Sequence, residues 1–131
     1  MRPILLTALW LVAVPAATGQ TDSVISTRHG VYTTTQARRG QAAFEQTCAR
    51  CHQAEAFEGN LLLSWSGTRV RMLYDLVQGT MPEDRPGSLT RQQYADIIAY
   101  LFELNGLPPG TRDLSPEPNE LGRILIEGSR K

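Results

Sequence analysis

Apolar residues recur at helical spacing in three stretches of the chain. In "TTTQARRGQAAFEQTCARCH", Ala37, Gly40, Phe44 and Cys48 fall at three- and four-residue steps and define one face. Thr34 or Thr35 is the expected N-cap, because a hydroxyl there satisfies an orphan N–H. Gly40 sits in the helix interior, where glycine costs about 1 kcal/mol against alanine. A glycine there points to the close approach of another backbone, with a tolerated defect as the alternative. The second stretch, "GTRVRMLYDLVQG", carries Val70, Leu73, Tyr74 and Val77 as its stripe, with Gly79 as the stop. The third, "LTRQQYADIIAYLFELNG", is capped by Thr90 and carries Tyr94, Ile97, Ile98, Leu101 and Leu104 at helical period. Gly106 ends it, and Pro108-Pro109 forbid continuation.

The rest of the chain reads as connection. Residues 20–33 are polar without a period and predict an extended arm. Residues 53–66 predict a loop, and "TMPEDRPGSL" a loop of restricted backbone. Residues 107–131 form a Pro-rich C-terminal extension: 107–119 is linker, and then Leu121, Ile124 and Leu125 or Ile126 are available to dock on the core. No stretch alternates as a strand does. The expectation is an all-α domain of three main helices over residues 34–106.

At the N-terminus, Arg2 precedes an apolar run from Ile4 to Val14, then Pro15 and small residues. Ala17-Thr18-Gly19 suits a signal peptidase, with a cut after Ala16 as the alternative, so residues 1–19 read as a cleaved signal peptide, against a retained anchor. The run is shorter than the roughly 20 apolar residues that span a bilayer, so no stable membrane span is expected after cleavage. No cysteine follows it as a lipoprotein site. Thirteen basic residues balance thirteen acidic ones, and removal of Arg2 leaves one acid in excess. That balance gives no reason to expect nucleic acid as a partner. A chain of 131 residues, 41% apolar and 20% charged, suits one globular domain.

Export sharpens the reading of Cys48-Ala49-Arg50-Cys51-His52, which holds both cysteines and one of the two histidines. Free thiols do not persist in an oxidising compartment. Two thiols three apart, followed at once by an imidazole, can reach two vinyl groups and an iron, and C-x-x-C-H is the pattern of c-type haem attachment. The competing readings are a redox dithiol, a zinc site and a plain disulfide. The dithiol wants a βαβ context that the chain lacks. Zinc wants four ligands, and His29 completes them only if the arm folds back. A disulfide leaves His52 unexplained. With haem c bound, Cys48 and Cys51 are the thioether tethers and His52 the proximal axial ligand. Met81, set in a loop by Pro82, is the expected distal axial ligand, since electron-transfer cytochromes use methionine there. Met72, His29 and a five-coordinate iron are the alternatives. Phe57, Leu61, Leu62, Leu73, Leu76, Ile98 and Leu101 are candidates to line the haem pocket. Trp65 is a candidate for a haem edge or propionate, against an ordinary core role. Arg50, Arg69 and Arg71 are candidates to neutralise propionates, against a solvated surface role.

Helix, C-x-x-C-H near the mature N-terminus, helix, Met-Pro loop and C-terminal helix, over about Gln36 to Gly106, resemble the class I c-type cytochromes. The resemblance implies their fold, three main helices around one covalently bound haem. It also implies that Gly40 and Phe44 pack against the Ala99-Tyr100-Leu101 segment. More narrowly, "GVYTTTQARRGQAAFEQTCARCH", "WSGTRVRMLYDLV" and "TMPEDRPGSLTRQQYADIIAYLFELNGLPPG" are similar to the cytochrome domains that accompany bacterial quinoprotein dehydrogenases. That similarity implies a periplasmic single-electron carrier, not an enzyme, between a quinoprotein dehydrogenase and a terminal oxidase or other cytochrome. A haem-based sensor or small-ligand binder with a displaceable sixth ligand is the alternative. The chain departs from its relatives at Gln53, where many carry glycine, and at Leu61-Leu62-Leu63, where many carry a Pro-Leu step. In the family the proline carbonyl accepts from the proximal imidazole, so another carbonyl of residues 60–63 is expected to serve here.

Overall fold

The computed structural model describes residues 23–128, so the expected signal peptide lies outside the described residues. In chain order these form strand β1 (Ile25–Ser26), helices α1 (Thr34–Thr47), α2 (Asn60–Trp65), α3 (Val70–Thr80), α4 (Arg91–Leu104) and α5 (Pro118–Arg123), and strand β2 (Ile124–Leu125). Two 3₁₀ turns, Thr27–His29 and Ala54–Phe57, complete them. The fold is all-α in character, as expected, with α1, α3 and α4 as its main helices.

The caps follow from hydroxyls. Thr33, one residue earlier than expected, accepts from the Gln36 N–H and starts α1. Thr90 and Gln93 form a reciprocal capping box at α4, with Gln93 N–H to Thr90 Oγ1 at 3.2 Å and Thr90 N–H to Gln93 Oε1 at 2.9 Å. Gly106, at φ 72°, follows the end of α4. Gly79 does not stop α3. The helix continues to Thr80, and Gly79 does not make the left-handed turn that favours glycine at a helix end.

The main helix contact is between α1 and α4. At Gly40 the two backbones touch: a Cβ there would lie 1.8 Å from the Asp96 carbonyl oxygen. Four residues on, Phe44 meets Tyr100 at 5.6 Å between ring centroids, the contact that the resemblance implied. Beside this crossing sits a buried polar cluster. Asp96 accepts from Gln36 Nε2 (3.0 Å), Gln92 Nε2 (2.8 Å) and Arg39 Nε (3.0 Å). Arg39 also reaches Asp113 (2.6 Å), which ties the C-terminal segment to the helix pair.

Both flanks of the helical region differ from their expected roles as arm and linker. Within 20–33, Thr27 and Tyr32 are fully buried, and the Tyr32 hydroxyl donates to the Leu107 carbonyl (2.6 Å). Within 107–131, Leu107, Leu114, Leu121, Ile124 and Ile126 are all buried. The docking expected of Leu121, Ile124 and Ile126 is therefore seen, while Leu125 is only half-buried. The two flanks meet as a short parallel pair, Ile25 beside Ile124 and Ser26 beside Leu125, in place of the strandless chain expected. The pairing is too short for alternation to register in the sequence.

These flanks join α3, α4 and Leu62 in the larger of two apolar clusters. The smaller cluster is Phe44, Ile97 and Leu101. The segment expected as a loop, 53–66, contains a 3₁₀ turn and α2, with Leu62 inward and Leu63 outward. No described helix is long and apolar enough to cross a membrane.

Candidate functional site

The smaller apolar cluster forms part of the wall of a cavity of about 820 Å³, within the size range of small-molecule and cofactor sites. α1 delivers the first side chains to it. Its last turn closes with the Cys48 N–H on the Phe44 carbonyl (2.7 Å). The chain then wraps tightly, and both the Cys51 and His52 N–H groups donate to the Cys48 carbonyl (3.0 and 2.9 Å). Cys48, Cys51 and His52 therefore lie together on the cavity wall. The His52 ring packs against Phe57 at 5.6 Å. Cys48 is half-buried and Cys51 exposed, and burial pushes an unmodified Cys48 thiol up.

The α3–α4 loop supplies Met81 to the same cavity. Met81 has φ −122° and ψ 148°, the extended geometry expected of a residue before proline. Its N–H donates to the Val77 carbonyl at the end of α3 (2.9 Å). Pro82 behind it is buried. Met72 is 57% exposed and His29 is exposed, and neither lines the cavity. His29, the fourth ligand that the zinc reading needs, does not line the cavity with Cys48, Cys51 and His52.

Trp65 and Leu101 both line the cavity, as do Phe57, Leu61, Leu73 and Leu76. Two of the expected lining residues do not. Leu62 and Ile98 turn into the larger core, and Phe44, Val77 and Ile97 take their places. The misassignment on α4 is one of helical phase, since both Ile97 and Ile98 are buried and only a neighbour decides which faces the site. Leu62 is misassigned because α2 is a helix, so adjacent leucines point about 100° apart. The same helical turn engages carbonyls of residues 60–63, with that of Leu62 accepting from the Ser66 N–H (2.9 Å).

Of the three candidate arginines, only Arg50 lines the cavity, where it faces Asp84 at 3.8 Å. Arg71 pairs with Asp75 one turn on (2.6 Å), and Arg69 donates to the Arg123 carbonyl (3.5 Å). Near the α1 end of the site, burial and then Glu45, Glu55, Glu103 and Glu58 push the Tyr100 phenol up. The cavity wall thus combines an apolar body with a small charged edge at Arg50, Glu83 and Asp84. Two thiols and an imidazole on one turn, a thioether on a separate loop, and apolar walls suit a large flat aromatic group that carries an iron and a few peripheral charges. The donor set and the walls fit haem c.

The family model described as cytochrome c oxidase, cbb3-type, subunit III matches residues 35–101, just over half of the chain. The matched span contains Cys48, Cys51, His52, Trp65, Met81 and Leu101. Neither the curated proteins nor the solved structures contain a match to the chain. The match brings covalently attached haem c with it, and Cys48 and Cys51 have the spacing of its attachment motif.

Proposed function

The chain belongs to the cbb3-type cytochrome c oxidase subunit III family, a family of c-type cytochrome domains, and from that premise we propose an exported monohaem carrier of single electrons. Its proposed donor is a periplasmic dehydrogenase, of the quinoprotein class suggested by the sequence resemblance. Its proposed acceptor is a terminal oxidase or another cytochrome. The family's description, which names an oxidase subunit, supports an acceptor of that class. The leader-like residues 1–19 support export to the periplasm.

One observation carries the reading: a single apolar cavity receives Cys48, Cys51, His52 and Met81 together. In this account Cys48 and Cys51 tether the haem, His52 is the proximal ligand and Met81 the distal one. When bound, haem c supplies one-electron Fe(III)/Fe(II) exchange. Met81 raises the potential, because a thioether favours the reduced iron. Phe44, Leu73, Ile97 and Leu101 exclude water and keep the local dielectric low. Leu76 is 50% exposed and Trp65 half-buried, so both meet solvent from the cavity wall. Arg50, beside Asp84, is placed to meet a propionate.

The test is carbon monoxide binding to the reduced protein. Wild-type protein should bind it slowly, limited by release of Met81, and Met81→Ala should bind it rapidly. Equal, rapid binding by both would overturn Met81 ligation and favour the ligand-binding alternative.

A further inference from the structure

Met81 is held on both sides of its backbone, and the second hold comes from a residue that the haem motif does not include. Tyr94 lies in the first turn of α4 and is fully buried. Its hydroxyl donates to the Met81 carbonyl (2.7 Å) and accepts from the Leu89 N–H (3.4 Å). One phenol therefore bridges the two ends of the loop that joins α3 to α4. The Met81 N–H is meanwhile fixed on the Val77 carbonyl (2.9 Å). A phenol at this buried position has a polar group to satisfy, and phenylalanine would fill the same apolar space.

We propose that Tyr94 is a positioning residue for the sixth ligand: its hydroxyl clasps the Met81–Leu89 loop shut and so sets how readily an outside ligand displaces the Met81 thioether. The proposal rests on the reading of Met81 as the distal ligand. Displacement requires the loop to move away from α4, and that movement breaks the Tyr94–Met81 hydrogen bond. Removing the hydroxyl removes the bond from the closed state alone, so the open state gains population.

Tyr74 is the internal control. Its ring packs edge-on against Tyr94 (centroids 6.2 Å apart, 73° between planes). Its own hydroxyl donates to the Arg91 carbonyl (3.0 Å), outside the Met81–Leu89 loop. Tyr74→Phe therefore removes a comparable bond from the same neighbourhood without touching the clasp.

The experiment titrates imidazole into the oxidised holoprotein and follows the haem spectrum, for wild type, Y94F, Y74F and M81A, with urea melts of each. Y94F should bind imidazole about ten-fold more tightly than wild type, the equivalent of one buried hydrogen bond. Y74F should stay within about two-fold of wild type while losing a similar amount of urea resistance. Y94F at wild-type affinity, with M81A binding tighter, would overturn the clasp and leave Met81 ligation standing. Y74F loosening as much as Y94F would overturn it too, as general softening. M81A binding no tighter than wild type would overturn the ligand reading itself, and the clasp with it. A second measurement needs no variant. The Tyr94 hydroxyl proton should exchange slowly in the reduced protein and rapidly in its carbon monoxide complex, and equal protection in both would overturn the proposal.

Discussion

Gly40→Ala is a one-carbon perturbation whose consequence can be worked from the helix crossing. The added Cβ would lie 1.8 Å from the Asp96 carbonyl oxygen, 2.4 Å from its carbon and 3.0 Å from the Ile97 nitrogen. An ordinary carbon–oxygen contact is about 3.3 Å or more, so α1 and α4 must separate by more than about 1 Å. A gap of that size forfeits up to about half of the dispersion energy of the contacts across it. These include Phe44 against Tyr100 and the surroundings of Asp96. Overpacking of this kind costs about 3 kcal/mol or somewhat more, because the obstacle is backbone and cannot rotate away. The better helix propensity of alanine offsets about 1 kcal/mol. The net loss is about 2–3 kcal/mol, or roughly 10 °C in melting temperature for a domain of this size. Thermal unfolding of the holoprotein, followed by far-UV circular dichroism and by haem absorption, measures it. A variant melting within about 2 °C of wild type would refute backbone contact at Gly40.

Truncation after Gly106 removes Leu107, Leu114, Leu121, Ile124 and Ile126, five buried side chains. At about 2 kcal/mol each the loss is roughly 10 kcal/mol, comparable to the whole stability of a domain, so the shortened chain should show no cooperative melt. A cooperative transition near that of wild type would show the extension to be dispensable. On the acid side, the Thr33 hydroxyl and then Arg39 hold the Asp113 carboxyl below its usual value. Its contribution is present above about pH 4 and is lost as pH falls through the lowered value, so Asp113→Asn should flatten the acid limb of the stability profile. On the alkaline side, burial and then Glu103 push the Tyr32 phenol from 10.0 up to about 12. Its contribution is complete below pH 10 and is lost between there and about 12, so Tyr32→Phe should flatten that limb.

What could be read in the sequence follows physical range. The α1, α3 and α4 stripes are local and periodic, and all three helices were legible, with α4 starting directly after its expected cap, Thr90. Cys48, Cys51 and His52 were legible because their chemistry depends on spacing along one turn. Met81 stood out because Pro82 restricts its backbone. Gly40 signalled a close approach, though only the structure supplies Asp96 as the partner. The flanks were not legible as core. Thr27, Tyr32, Leu107 and Leu114 have no periodic neighbours, and each is buried by a partner far away in the chain. Helix α2 was hidden by its brevity, and with it the inward turn of Leu62. The exchange of Ile97 for Ile98 on the cavity wall is a choice between adjacent apolar residues that periodicity leaves open. Tyr94 shows only as one more apolar position of the α4 stripe, because its role lies in a hydroxyl and a carbonyl thirteen residues earlier.

The proposed electron transfer turns on Cys48 and Cys51 carrying haem c covalently beside His52 and Met81. Intact mass spectrometry of the denatured protein, produced in a host competent for c-type maturation, reads that attachment. The polypeptide should be heavier by one haem, and that added mass should be lost when both cysteines are changed to alanine. A mass equal to the bare polypeptide, with or without a Cys48–Cys51 disulfide, would contradict it.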